Sequence, residues 1–159
     1  MNNELTHLAE RLRDNLSEID TVLQRIVEGW RRFLSSSDDY YLDGVALNLH
    51  GLYSGLERIF ELVAEVIDDN KPGGENWHLA LLKQMSMEIP KVRPAVISET
   101  SFHELNEYRG FRHVVRNVYT LRFDPQKINR LVDKTPEMFN RVRAEILAFS
   151  DFLGESSAS

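Results

Sequence analysis

Between Leu5 and Leu34 the apolar side chains recur at gaps of three and four: Leu5, Leu8, Leu12, Leu16, Ile19, Val22, Leu23, Ile26, Val27, Trp30, Phe33 and Leu34. That spacing is one stripe on one helix. At about 1.5 Å per residue the stripe runs more than 40 Å, and an apolar face of that length demands partner helices of similar reach. Ser35-Ser36-Ser37-Asp38-Asp39 stops the helix and offers N-caps for the next. A second helix over about 39–69 is apolar over a wide arc, from Leu42 and Val45 through Leu52, Tyr53, Leu56 and Phe60 to Ile67, as expected of a central element. Asn70-Lys71-Pro72-Gly73-Gly74 breaks it.

A shorter helix is expected over 76–88, carrying Trp77, Leu79, Leu81, Leu82, Met85 and Met87. The stretch 89–98, with two prolines, reads as a loop holding a turn of helix. Ser98, Thr100 or Ser101 can cap a fourth helix over about 101–122. Asp124-Pro125 marks a sharp restart, Asp as cap and Pro in the first turn. The last helix, over 125–153, is expected to kink or split at Thr135-Pro136 and to stop at Gly154. No strand-like alternation and no repeat interrupts this order. The chain is expected to be all-α, an antiparallel four- to five-helix bundle forming a single domain over 1–154, with 155–159 a disordered tail.

Composition narrows the chemistry. The chain has no cysteine, which removes disulfides and thiolate metal sites and suits a reducing cytoplasm. No apolar run reaches the roughly 18 residues of a membrane span, so no membrane role and a cytoplasmic location are expected. His7, His50, His78 and His103 are scattered, without a ligand pair four apart on a helix face. Neither metal nor cofactor is expected. With a net charge of −6, any nucleic-acid role needs a local basic patch.

One exists. Tyr108-Arg-Gly-Phe-Arg-His-Val-Val-Arg-Asn-Val-Tyr-Thr-Leu-Arg122 holds four arginines, a histidine and no acid. Wound at about 100° per residue, Phe111, Val114, Val115, Val118 and Leu121 share one arc that must face the core. Arg109, Arg112, Arg116 and Tyr119 share a neighbouring stripe within roughly 80°. His113 lies beside Arg109 and Arg116, and Asn117 sits further round. Three guanidiniums in a row repel by a few tenths of a kcal/mol per pair and are better placed opposite phosphates. A base beside them would supply what RNA cleavage by 2′-hydroxyl attack needs, proton removal and stabilisation of the phosphorane, with no metal. The plain alternative is that these arginines, Arg122 included, pair with acids of the second helix, for which Glu57, Glu61, Glu65 and Asp68 are available.

The run Phe111-Arg-His-Val-Val-Arg-Asn-Val-Tyr119 resembles the signature helix of the HEPN superfamily, specifically its HepT-like toxins: an arginine, a histidine four to six residues on, then one residue and a tyrosine. The order of helices over 39–153 is similar too. The resemblance implies a HEPN-like bundle that dimerises so that two such helices line one cleft. It further implies a metal-independent endoribonuclease, and a minimal nucleotidyltransferase antitoxin as partner, able to attach AMP to the motif tyrosine. Carried over, Arg112 is the motif arginine and Tyr119 the motif tyrosine and adenylylation site. The histidine position is Asn117, which can donate to a phosphoryl oxygen but cannot shuttle a proton near pH 7. The expected working set is therefore Arg112, His113 and Tyr119 for catalysis, with Arg109, Arg116 and Asn117 on RNA phosphates. The alternative is a non-catalytic module that binds a nucleotidyltransferase, nucleotide or RNA.

Overall fold

The computed structural model describes residues 3–117 and 123–158, except for the side chains of His113, Val114, Arg116 and Asn117. The described residues form five helices in chain order: α1 (Asn3–Ser36), α2 (Asp39–Val66), α3 (Trp77–Met85), α4 (Glu99–Asn117) and α5 (Pro125–Ala158). The chain is an all-α bundle.

α1 and α2 are joined by two residues and pack along each other, so they run antiparallel. The turn is closed by the Ser37 N–H donating to the Phe33 carbonyl at 2.7 Å, with Ser37 at φ 56. Asp38 caps α2, its carboxylate accepting from the Tyr40 N–H at 3.0 Å. Midway along, the helices nearly touch at Gly55, where a Cβ would meet Ile19 Cγ1 at 2.8 Å. α5 returns along α1, with Thr6 against Ser157 (2.9 Å) and Arg13 against Asp151 (3.4 Å). α4 lies chiefly on α2, with α3 and α5 at its sides.

Leu8, Leu12, Leu16, Ile19 and Ile26 of the α1 stripe are buried, as are Leu49, Leu52, Leu56, Ile59 and Phe60 of α2. Each such side chain contributes about 1.5–3 kcal/mol on burial. The stripe is narrower than the sequence implies: Val27 is 46% exposed and Leu34 63%. Each sits one position, about 100°, past a residue that takes the inward place, Ile26 and Phe33. Phe111 is buried and Val115 packs on the core as expected, while Val114, Val118 and Leu121 of the same arc lie outside the described residues.

Three expectations need correction. Residues 89–93 hold no helical turn: Ile89 and Arg93 exchange two backbone hydrogen bonds of 3.0 Å around Lys91 at φ 69. Pro136 does not split α5. A proline removes one ladder bond, here the one to the Val132 carbonyl, but Val132, Thr135, Met138 and Phe139 on either side are buried and hold the helix on the bundle. Nor does Gly154 end the helix, and residues 155–158 are helical rather than a tail. An interior glycine costs only about 1 kcal/mol, and the buried Leu153 and the Thr6–Ser157 contact hold both sides of it on the bundle.

The helix starts behave as local chemistry dictates. Ser98 accepts from the Ser101 N–H at 3.1 Å and opens α4. Asp124 accepts from the Gln126 N–H at 3.0 Å and opens α5. Phe123 then tilts against Phe111, ring centres 6.3 Å apart, returning the chain to the face of α4.

Candidate functional site

Leu105, Tyr108 and Phe111 are the inward residues of α4. Their burial rotates Arg109 and Arg112 to the boundary between core and solvent, where both are half-buried. Arg109 is steadied from its own helix, its Nε donating to the Asn106 side-chain oxygen at 2.8 Å. Arg112 faces across to α3. Its Nη1 lies 3.4 Å from Nε2 of His78, whose Nδ1 lies 2.7 Å from Glu57 Oε2 on α2. Glu57 is 4% exposed. The Trp77 ring lies over His78 with centroids 3.7 Å apart and planes 30° from parallel.

The order of donors follows from the guanidinium, which can only donate. Nε2 of His78 therefore accepts from Arg112, and Nδ1 carries the hydrogen given to Glu57. The carboxylate fixes the tautomer, and the imidazole meets Arg112 as an acceptor. Arg112 is thus linked to a buried carboxylate only through an intervening ring. Its Nε is buried and has no hydrogen-bond partner among the described residues.

Tyr53 of α2 lies beside this group and is 1% exposed. Burial raises its phenol above the ordinary value, and the Glu57 charge adds to that, while Arg109 and Arg112 oppose it. Both arginines therefore act on one spot of the bundle.

The ion pairing weighed as the alternative fails for these two residues. Among the described contacts Glu61 and Glu65 hold Lys71 at 3.0 and 3.1 Å, Asp68 holds Arg93, and Glu57 holds His78. None of the four bonds Arg109 or Arg112 directly. The side chains of His113, Arg116 and Asn117, and all of Tyr119 and Arg122, lie outside the described residues. A groove of about 780 Å³ runs between α1 and α2 and reaches α4 at Val115, with Arg25, Arg32, Tyr40, Tyr41 and Leu47 among its walls. Arg109 and Arg112 are not among its described lining residues.

A family model described as HepT-like protein matches residues 44–153, from the first turns of α2 to the end of the buried part of α5. This chain belongs to the HepT-like family. It is thereby a member of the HEPN superfamily. No curated protein and no solved structure matches it. The matched span of this HepT-like chain contains Glu57, His78 and Arg112, and leaves the whole of α1 outside.

Two residues of the site escaped the sequence. His78 was one scattered histidine, and Glu57 was a partner offered to arginine rather than to histidine. They lie 34 and 55 positions from Arg112, beyond the reach of any helical spacing. The one available signal was local: His78 is a polar residue opening a short helix that otherwise carries Trp77, Leu79, Leu81 and Leu82. Among the described residues no group of three or more His, Cys, Asp or Glu could hold a metal, and no helix is long and apolar enough to cross a membrane.

Proposed function

We propose that this HepT-like chain is a metal-independent endoribonuclease that acts on RNA as a homodimer and is neutralised by a minimal nucleotidyltransferase antitoxin. The observation that carries the reading is the state of Arg112. A guanidinium bonded to a carboxylate has its charge largely cancelled. Arg112 instead meets an imidazole nitrogen, so its charge stays available to an anion, and phosphate is the anion its flat array of donors fits best. Held in place in advance, such a cation stabilises the charge that develops on a pentavalent phosphorane without reorganising during the step.

In this reading the 2′-hydroxyl attacks the adjacent phosphorus as its proton passes to a base, and the P–O5′ bond breaks, leaving a 2′,3′-cyclic phosphate and a 5′-hydroxyl whose oxygen has taken up a proton. His113, next to Arg112 in sequence, is the base, because position 117 holds asparagine. Arg109, Arg116 and Asn117 take flanking phosphates. Tyr119 completes the catalytic set and is the residue an antitoxin would adenylylate, covering the cleft that two α4 helices form in the dimer.

Asn117 favours a second reading, a module that binds RNA, nucleotide or a nucleotidyltransferase without cutting. The two separate in one assay. Single-stranded RNA is incubated in EDTA with the wild type, His113→Ala and Asn117→His. The ribonuclease reading predicts cleavage by the wild type that His113→Ala abolishes. Retention of RNA without cleavage, with activity appearing only in Asn117→His, establishes the binding module instead.

A further inference from the structure

Among the described residues the buried Nε–H of Arg112 has no partner, an arrangement that costs free energy and that a side chain free to rotate would relieve. The guanidinium is therefore held by something other than its own hydrogen-bond optimum. The holding group is at hand. Glu57 is nearly fully buried on α2 and bonds His78 Nδ1 at 2.7 Å. The Trp77 ring limits rotation of the imidazole. α3 itself is pinned between α2 and α4 by Leu81, Leu82 and Met85, each 0–1% exposed. All of this fixes the direction of one lone pair, on Nε2, and that lone pair faces Arg112 Nη1.

We propose that His78, oriented by Glu57, is a positioning residue for Arg112, setting the plane in which its guanidinium meets an RNA phosphate. The rate consequence rests on the ribonuclease reading above; the positioning itself does not. Such supporting partners matter because misplacing a charged group by an ångström loses much of its effect on a transition state. His78 touches no reacting atom and acts only through Arg112.

The test uses the full chain labelled with ¹⁵N. In the wild type the imidazole signals of His78 show the hydrogen on Nδ1, and the Arg112 Nη signals are split by slow rotation about its C–N bonds. In His78→Ala the Arg112 signals merge, and kcat on RNA falls roughly tenfold or more, the scale seen when supporting partners of a ligand are removed, with KM and melting temperature little changed. His78→Gln keeps an acceptor oxygen near the place of Nε2, so it recovers part of both losses. It also serves if the alanine variant folds poorly. Arg112 signals that are the same in the wild type and both variants, or a hydrogen found on Nε2, overturn the proposal. If the wild type leaves RNA intact, only the ribonuclease reading falls, and the Arg112 signals still decide the positioning role.

Discussion

Arg112 meets the start of α3 at His78 and Arg93 its far end at the Gln84 carbonyl, and their surroundings could hardly differ more. Arg93 has a side chain 0% exposed against an Asp68 side chain 1% exposed. Its Nε and Nη2 bond the two carboxylate oxygens at 2.6 and 2.8 Å, and its remaining donors reach the carbonyls of Met87, Pro94 and Gln84. Every direction the guanidinium offers is used, and its charge is cancelled on the spot. Arg112 is half-buried and, among the described residues, has one hydrogen-bond contact of 3.4 Å with an imidazole, an unpartnered Nε and no bonded carboxylate. The first arrangement ties the 87–94 turn to the end of α2. The second holds a cation at the surface with its charge uncompensated by direct contact. An arginine that serves the fold collects partners; one restrained and left under-bonded is what the proposed ribonuclease reading asks of Arg112.

The largest effect that could break this contrast is on stability. Asp68→Ala leaves a fully buried guanidinium without its counter-charge, and removing one partner of a buried pair typically costs about 3–5 kcal/mol. Urea unfolding should show a loss of that size. A loss below about 1 kcal/mol would mean that Arg93 relaxes to water and is no lock.

A smaller effect sharpens the same comparison one turn earlier on α4. The Tyr108 phenol oxygen lies 3.1 Å from the Leu131 carbonyl and 2.9 Å from Thr135 Oγ1, within hydrogen-bond reach of both. It is pushed up to about 12 from the ordinary 10.0, chiefly by burial and further by Glu104 and Glu107, against the lowering effect of Thr135. A group whose folded value is raised contributes stability that is complete below the unfolded value and is lost as pH rises through the folded one. The chain should therefore weaken between about pH 10 and pH 12. Tyr108→Phe should cost about 1 kcal/mol at neutral pH and flatten the alkaline decline, the remaining slope coming from Tyr53, which is raised as well. Denaturant titrations at several pH values check both.

Much of the fold was legible because its causes are local. Gaps of three and four between Leu5 and Leu34, the Ser/Asp run before α2 and Asp124-Pro125 before α5 each act within a turn of helix, and the structure keeps all three. What could not be read depends on distant groups. The turn at 89–93 is shaped by Arg93 seeking Asp68 across 25 positions. Passage of α5 through Pro136 and Gly154 rests on burial against the bundle on both sides of each, including the Thr6–Ser157 contact with α1. At the site, Arg109 and Arg112 could be placed on one stripe from helical spacing alone. The Glu57–His78 support could not, because its three members come from three helices.

The central claim is that Arg112 is kept for an anion and not for the fold. Arg112→Ala, compared with the wild type for urea stability and for cleavage of single-stranded RNA in EDTA, tests it directly. The account predicts a stability change of about 1 kcal/mol or less together with a fall in cleavage of roughly 10²–10³-fold. A variant that loses about 3–5 kcal/mol, as expected for a buried structural pair, while the protein that remains folded cleaves RNA at the wild-type rate, would contradict it.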